Sequence, residues 1–411
     1  PTSPPSFLSL SYVDIAMFTR TLARRSFTMA TMVTPFLGYT AMAYCQDEPT
    51  PTPNPHHQRQ RVVAMVNQLQ QTFVNTLQRL EPNKTHTFYP VSWLRDDGLH
   101  GGGTRYQSPA TSTTFKQATV NVSSVHFDDV VKYPIDSATA LSVIIHPTHP
   151  FAPSMHFHIS FMEPRHGKAY WRLIADLNPT HPTVEDEQTF ANALSNVKHV
   201  SKELYLDAQE FGNKYFYIPS LGRHRGTCHF FVGKLEEDEL GFDDSCDLAR
   251  ALAETALTTY ETLVEKARAN HPIADVSAGE REQQIAYHTL YVYQVLTLDR
   301  GTTHGLMAHN QNDVGTLGSL PPVIDPALLR HWMEQRTLGP QKELLAQVLA
   351  IVPEDGTIND STRGQLAEVV RTHYRSSAEA RKHQANLDLN WWKERTTLRV
   401  MNGGGKRPSV E

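Results

Sequence analysis

The chain has 411 residues, 39% hydrophobic and 20% charged, and its Lys+Arg 38 against Asp+Glu 43 leave a net charge of −5. This balance allows a large apolar core and excludes a wholly disordered chain and a multi-span membrane protein; without a basic excess it also argues against a nucleic-acid binder. Three cysteines, Cys45, Cys228 and Cys246, are too few for a disulfide framework or a four-thiolate zinc site.

In chain order, residues 1–25 carry Arg20, Arg24 and Arg25, many Ser and Thr, and a single acid, Asp14. That composition reads as a mitochondrial targeting segment, and a start at Pro1 rather than Met leads us to expect that an upstream piece has been removed or is missing. Residues 26–45, from Ser26 to Cys45, hold no charged side chain. At about 1.5 Å per residue they match one membrane-spanning helix, although Pro35, Gly38 and several threonines also fit a buried or interfacial helix. The arginines before it place the start on the matrix side and the rest of the chain in the intermembrane space.

Residues 46–60 read as a Pro-rich linker, with Pro49, Pro51, Pro53 and Pro55 spaced as in an extended spacer. Val62, Val66, Leu69, Phe73, Leu77 and Leu80 then recur at helical spacing. Residues 87–163 are rich in β-branched and aromatic residues punctuated by Gly and Pro, the pattern of strands and turns. Residues 248–268 read as a helix and residues 287–299 as a buried strand. From about Asp325 the chain is helical again, with Leu344, Leu345, Val348 and Leu349 on one face. The tail after Trp391 and Trp392 reads as irregular. Trp332, Trp391 and Trp392, with Arg381 and Arg395 nearby, are expected to be anchors for a partner.

The segment 142–162 reads SVIIHPTHPFAPSMHFHISFM, and here the sequence becomes specific. It resembles the strand–loop–strand signature of the oxygen-dependent coproporphyrinogen III oxidase family, with His146, Pro147, Pro150, Ala152, Pro153 and His156 in register. Further matches follow in the same order as in the family. They include Gly101-Gly102-Gly103-Thr104, Val120-Asn121-Val122-Ser123, Asp176-Leu177 with Pro179, Arg225-Gly226, Asp299-Arg300-Gly301-Thr302 and Ser319-Leu320-Pro321-Pro322. The resemblance implies an α+β domain over residues 61–330, a large antiparallel sheet with helices on its faces, often homodimeric, followed by a helical extension over 331–411. It implies molecular oxygen as co-substrate with no metal or organic cofactor, and oxidative decarboxylation of two propionates of a tetrapyrrole. In such an enzyme His156 and Asp176 would be catalytic, and Ser142, His158, Arg225 and Arg300 would bind substrate.

The sequence departs from that pattern where substrate would sit. His158 stands where the family has Asn, and Ser160 where it has Arg, which removes a fixed charge. Leu173 and Ile174 stand where the family has glycines, and would crowd the pocket. Leu221 and Val295 replace polar groups. Packing residues survive better than substrate residues. The reading this favours is a family member that has lost catalysis and serves as an accessory subunit of a mitochondrial inner-membrane complex, respiratory or ATP-synthesising. Two alternatives stay open: an active coproporphyrinogen III oxidase of haem biosynthesis, and a metal or porphyrin binder using His146, His149, His156 and His158.

Overall fold

The apolar stripe from Val62 to Leu80 is helical, as its spacing predicts, in a helix α1 that runs Pro55–Leu80. The computed structural model describes residues 55–402, apart from residues 85, 131–132, 309–311 and 386–388. The expected targeting segment and membrane helix (1–25 and 26–45) lie outside the described residues, among which no helix is long and apolar enough to cross a membrane. The spacer expected over 46–60 ends sooner than its composition indicated. Pro55 opens α1, where a proline's missing N–H costs nothing.

Seven strands form one antiparallel sheet among the described residues. They are β1 (Tyr89–Leu94), β2 (Gly101–Gln107), β3 (Phe115–His126), β4 (Ile135–Pro147), β5 (Ser154–Pro164), β6 (Tyr170–Asn178) and, after a two-stranded hairpin of β7 (Tyr217–Ile218) and β8 (Arg223–His224), β9 (Thr227–Glu236). Each strand of the sheet pairs with the next in sequence, β9 following β6. This is the strand-rich stretch the composition predicted.

Alternate residues of each strand point to opposite sides. On one side Val120, Val122, Leu141, Val143, Phe157, Ile159, Trp171, Leu173 and Ala175 join the main core. Against them pack α1 and α5 (Phe242–Asn270), which contains the helix predicted over 248–268; Phe73 meets Phe157, and Phe242 meets Phe161. The short helix α4 (Glu237–Leu240) leads into α5, and α2 (Val184–Ser195) packs beside α5, its first turn capped by the Thr183 hydroxyl. On the other side, α3 (Lys202–Phe216) lies on β9 through Phe211 and Tyr215 against Phe231.

A second core covers the rest of that side, built from α6 (Ala278–Thr297), α7 (Arg300–Ala308), α8 (Asp313–Thr316), α9 (Pro326–Gln335), α10 (Pro340–Ile351), α11 (Asp360–Ser376) and α12 (Ala378–Lys382). Residues 287–297 belong to helix α6, which corrects the strand read there. Every residue from Tyr287 to Thr297 is buried, so no polar stripe marks a helical period. The start signal was nevertheless present: Ser277 and Glu280 form a capping box.

The C-terminal reading also changes. Helix α13 (Leu389–Asn402) packs on α3 and β9, and Trp392 is fully buried, donating from Nε1 to the Lys234 carbonyl at 2.5 Å beside Phe211. Trp391 stacks on Phe211, and Trp332 lies against Tyr293. These tryptophans cover their own domain, and the tail read as irregular is helical through Asn402.

Candidate active site

Strand register sets the site. His156 on β5 lies directly opposite Asp176 on β6, on the side away from α1 and α5. His156 Nδ1 donates to Asp176 Oδ1 at 2.7 Å. Asp176 Oδ2 accepts from Asn178 Nδ2 at 2.6 Å and from Arg225 Nη2 at 3.0 Å. Asp176 is 0% exposed and Arg225 2% exposed.

Arg225 reaches this point because the chain turns sharply after it. Gly226 has φ 72°, and a Cβ there would strike the Asn178 side chain and the Leu177 carbonyl. The Arg225 backbone N–H donates to the Phe216 carbonyl, and its own carbonyl accepts from His229 Nε2 at 2.8 Å. Its guanidinium stacks 4.4 Å from the Phe216 ring and 5.3 Å from that of Tyr291 on α6.

Electrostatics follows from this enclosure. Burial alone would raise the Asp176 carboxyl, but Arg225 and His156 outweigh it and hold Asp176 well below the ordinary carboxylate range. Burial likewise works against the charge on Arg225, but Asp176, Tyr291, Tyr287 and Asp299 together outweigh it and raise the guanidinium above its ordinary value. Burial pushes His158 down to about 3, with His156 and Arg172 adding to the effect, and pushes His229 down to about 4. Both are neutral imidazoles near pH 7.

The other residues singled out by sequence divide into two groups. Ser142 and His158 are cross-strand neighbours on the same side as His156, in the next register row. Arg300 is not part of this group; its guanidinium donates to the Arg381 carbonyl at 3.3 Å beside the C-terminal helices. The four histidines do not form a metal centre. His146, pushed down to about 3 by burial, lies between the Ser154 hydroxyl and the Ser319 carbonyl, and His149 is bonded to the His271 carbonyl. Among the described residues, three ligand atoms come within 4.8 Å of one another only at Asp96–His100–Asp129 and His199–Asp244–Asp247, both at the surface and away from this site.

Leu173 does not crowd the site, because it points into the α1/α5 core. Ile174 does share the site-facing side, opposite His158 and Phe231.

Sequence reasoning missed several residues. Asp299 accepts from the Tyr215 hydroxyl at 2.8 Å and from the Thr302 backbone N–H at 2.6 Å. Burial and Asp299 together raise the Tyr215 phenol well above its usual value. Asp299 also acts electrostatically on His158 and Arg225, so it belongs to the same space. It stands in the motif that drew attention to Arg300, one residue before it. Arg105 and Arg172 were also missed; the visible signal was a lone arginine inside the apolar run from Tyr170 to Ala175.

An antiparallel meander with helices on both sides, and a buried His–Asp–Arg network on one polar sheet face, defines an α+β domain with one apolar and one polar sheet side. The family model for coproporphyrinogen III oxidase matches residues 61–351. The chain belongs to the coproporphyrinogen III oxidase family. A curated relative, the oxygen-dependent coproporphyrinogen-III oxidase of Prochlorococcus marinus (strain MIT 9313), is 28% identical over 304 residues, covering 65% of this chain and 83% of the relative. Family membership ties the fold to porphyrin and haem biosynthesis.

Proposed function

We propose that this chain is a family member that no longer turns over coproporphyrinogen III and acts as an accessory subunit at the mitochondrial inner membrane. One observation carries the loss of turnover: the Asp176 carboxylate is fully enclosed, and both of its oxygens already accept hydrogen bonds, from His156, Asn178 and Arg225. A carboxylate in that state is poorly placed to hold pyrrole N–H groups, because its oxygens are already engaged and closed off from the outside. The setting is supported by the arginine-bearing segment 1–25 and the uncharged run 26–45, which would anchor the domain with its bulk in the intermembrane space.

The purified chain, given freshly reduced coproporphyrinogen III under air, is expected to give no decarboxylated product by fluorescence-detected chromatography. Turnover that disappears in His156→Ala would overturn this reading in favour of an active oxidase. The observation favouring that second reading is that His156 is held by a carboxylate through Nδ1, the orientation an acid–base histidine needs, with Asp299 as a second carboxylate acting on the neighbouring His158. For the location, resistance to carbonate extraction from mitochondrial membranes is expected, and release into the supernatant would refute the anchor.

A further inference from the structure

A cavity of about 350 Å³ lies at the end of the sheet, where the chain leaves β6 for α2 and the β7–β8 hairpin folds back. Pro179 and Pro182 wall it on the α2 side, and Tyr287 and Leu290 line it from α6. The two α6 residues are buried in the second core and the prolines have a fixed φ, so these walls are preformed. The same cavity is lined by one acid, Glu187 on α2, and by one arginine, Arg223 on β8.

These two charges stand apart from the ion pairs around them. On α2, Lys266 pairs with Glu185 at 2.9 Å and with Asp186 at 2.8 Å, and leaves Glu187. On the hairpin side Arg225 is committed to Asp176, whereas Arg223, two residues earlier, is not. Among the described residues, neither the Glu187 carboxylate nor the Arg223 guanidinium has a hydrogen bond or an ion pair, and none joins the two across the cavity. Single exposed charges are satisfied by water; these two differ in sharing one walled cavity with an apolar floor. A ligand that carries the opposite pair of charges gives each a partner while its apolar part covers Tyr287 and Leu290. The volume lies at the small end of the range of about 300–1,000 Å³ for ligand cavities, which suits a single amino acid.

We propose that this cavity binds an α-amino acid with an apolar side chain, its carboxylate on Arg223, its ammonium on Glu187 and its side chain over Tyr287, Leu290 and the two prolines. The guanidinium offers a forked donor to the carboxylate, and the Glu187 carboxylate accepts from the ammonium. The site uses none of the side chains of the His156–Asp176–Arg225 network, which are bonded to one another. It goes beyond the accessory reading, since it requires binding and is indifferent to turnover.

The test is a saturation-transfer NMR titration of the purified full chain at neutral pH, with L-phenylalanine as probe. Two controls each lack one charge: 3-phenylpropionate has no ammonium, and phenethylamine has no carboxylate. L-Phenylalanine is expected to bind about 10-fold or more tightly than either control. Arg223→Ala and Glu187→Gln are each expected to weaken its binding about 10-fold. In Glu187→Gln the advantage of L-phenylalanine over 3-phenylpropionate should vanish, because the ammonium has lost its partner. No binding by the parent chain, equal binding of L-phenylalanine and either control, or parental affinity in either variant would each overturn the proposal. Thermal unfolding midpoints are expected to stay at the parental value in both variants, and a lowered midpoint would show an internal role for the charge and count against the site. Turnover of coproporphyrinogen III would remove the accessory reading and leave this one standing, whereas absence of amino-acid binding alone does the reverse.

Discussion

The two sides of the seven-stranded sheet are made by the same strands, yet they solve different problems. Toward α1 and α5, the inward residues are Val120, Leu141, Val143, Phe157, Ile159, Leu173 and similar side chains, packed against Phe73 and other helix residues. Toward α3 and α6, the alternating positions hold Arg105, Asn121, Ser142, His156, His158, Ser160, Arg172 and Asp176. The first side gains stability by removing apolar area from water; the second gives some of that up to bury charge. Within the second side there is a further division. Asp176, Arg225, His156 and Asn178 satisfy one another, while Arg172 meets the Tyr170 hydroxyl and Arg105 bonds Gln107 and is acted on by Asp360.

The sharpest way to break this comparison is to remove one member of the closed network. Asp176→Ala leaves the buried Arg225 cation unpaired and is expected to cost about 3–5 kcal/mol in urea unfolding, as much as Phe157→Ala on the apolar side. A cost under about 1 kcal/mol would show that Arg225 finds water or another anion, and the division would fail.

Acidification should weaken the polar side selectively. The folded state holds His146 near 3 while the unfolded chain titrates near 6.5. Between those values the unfolded chain binds a proton that the folded one refuses, so stability falls as pH drops, by up to about 1.4 kcal/mol per pH unit for this one group. His158, also held near 3, adds to the same window. Asp176 acts in the same direction but lower: its depressed carboxyl gives stability that is present above the ordinary carboxylate range and is lost only as pH falls through its folded value. Urea midpoints at pH 7.5 and 5.0 are expected to differ clearly, and His146→Gln should flatten the difference; a pH-independent midpoint would contradict the buried neutral imidazoles.

The smallest expected effect completes the contrast. Arg172→Ala should change stability by less than about 1 kcal/mol, and could raise it, because the charge removed has no internal partner to strand. A loss of several kcal/mol would place Arg172 in the closed network.

The sequence alone determined the alternation of the strands, the stripe of α1, the helix within α5 and the collinear motifs that fixed the family, because each depends on local period or on residue identity. His156 and Asp176 were legible as a pair worth choosing for the same reason. Tertiary structure decided the rest. Residues 287–297 read as a strand because a helix buried on all sides loses its polar stripe, and only packing against His146 and the second core reveals the period. Trp392 read as an interface anchor because nothing local says that α13 returns to cover β9. Arg300 was named without Asp299 because adjacent residues in a motif point in different directions, and only the fold shows Asp299 at the Tyr215 hydroxyl and Arg300 at the Arg381 carbonyl. Nor does the sequence show that Arg172, twelve positions away, stands directly opposite Ser160 across one strand pair, a register that only the assembled sheet defines.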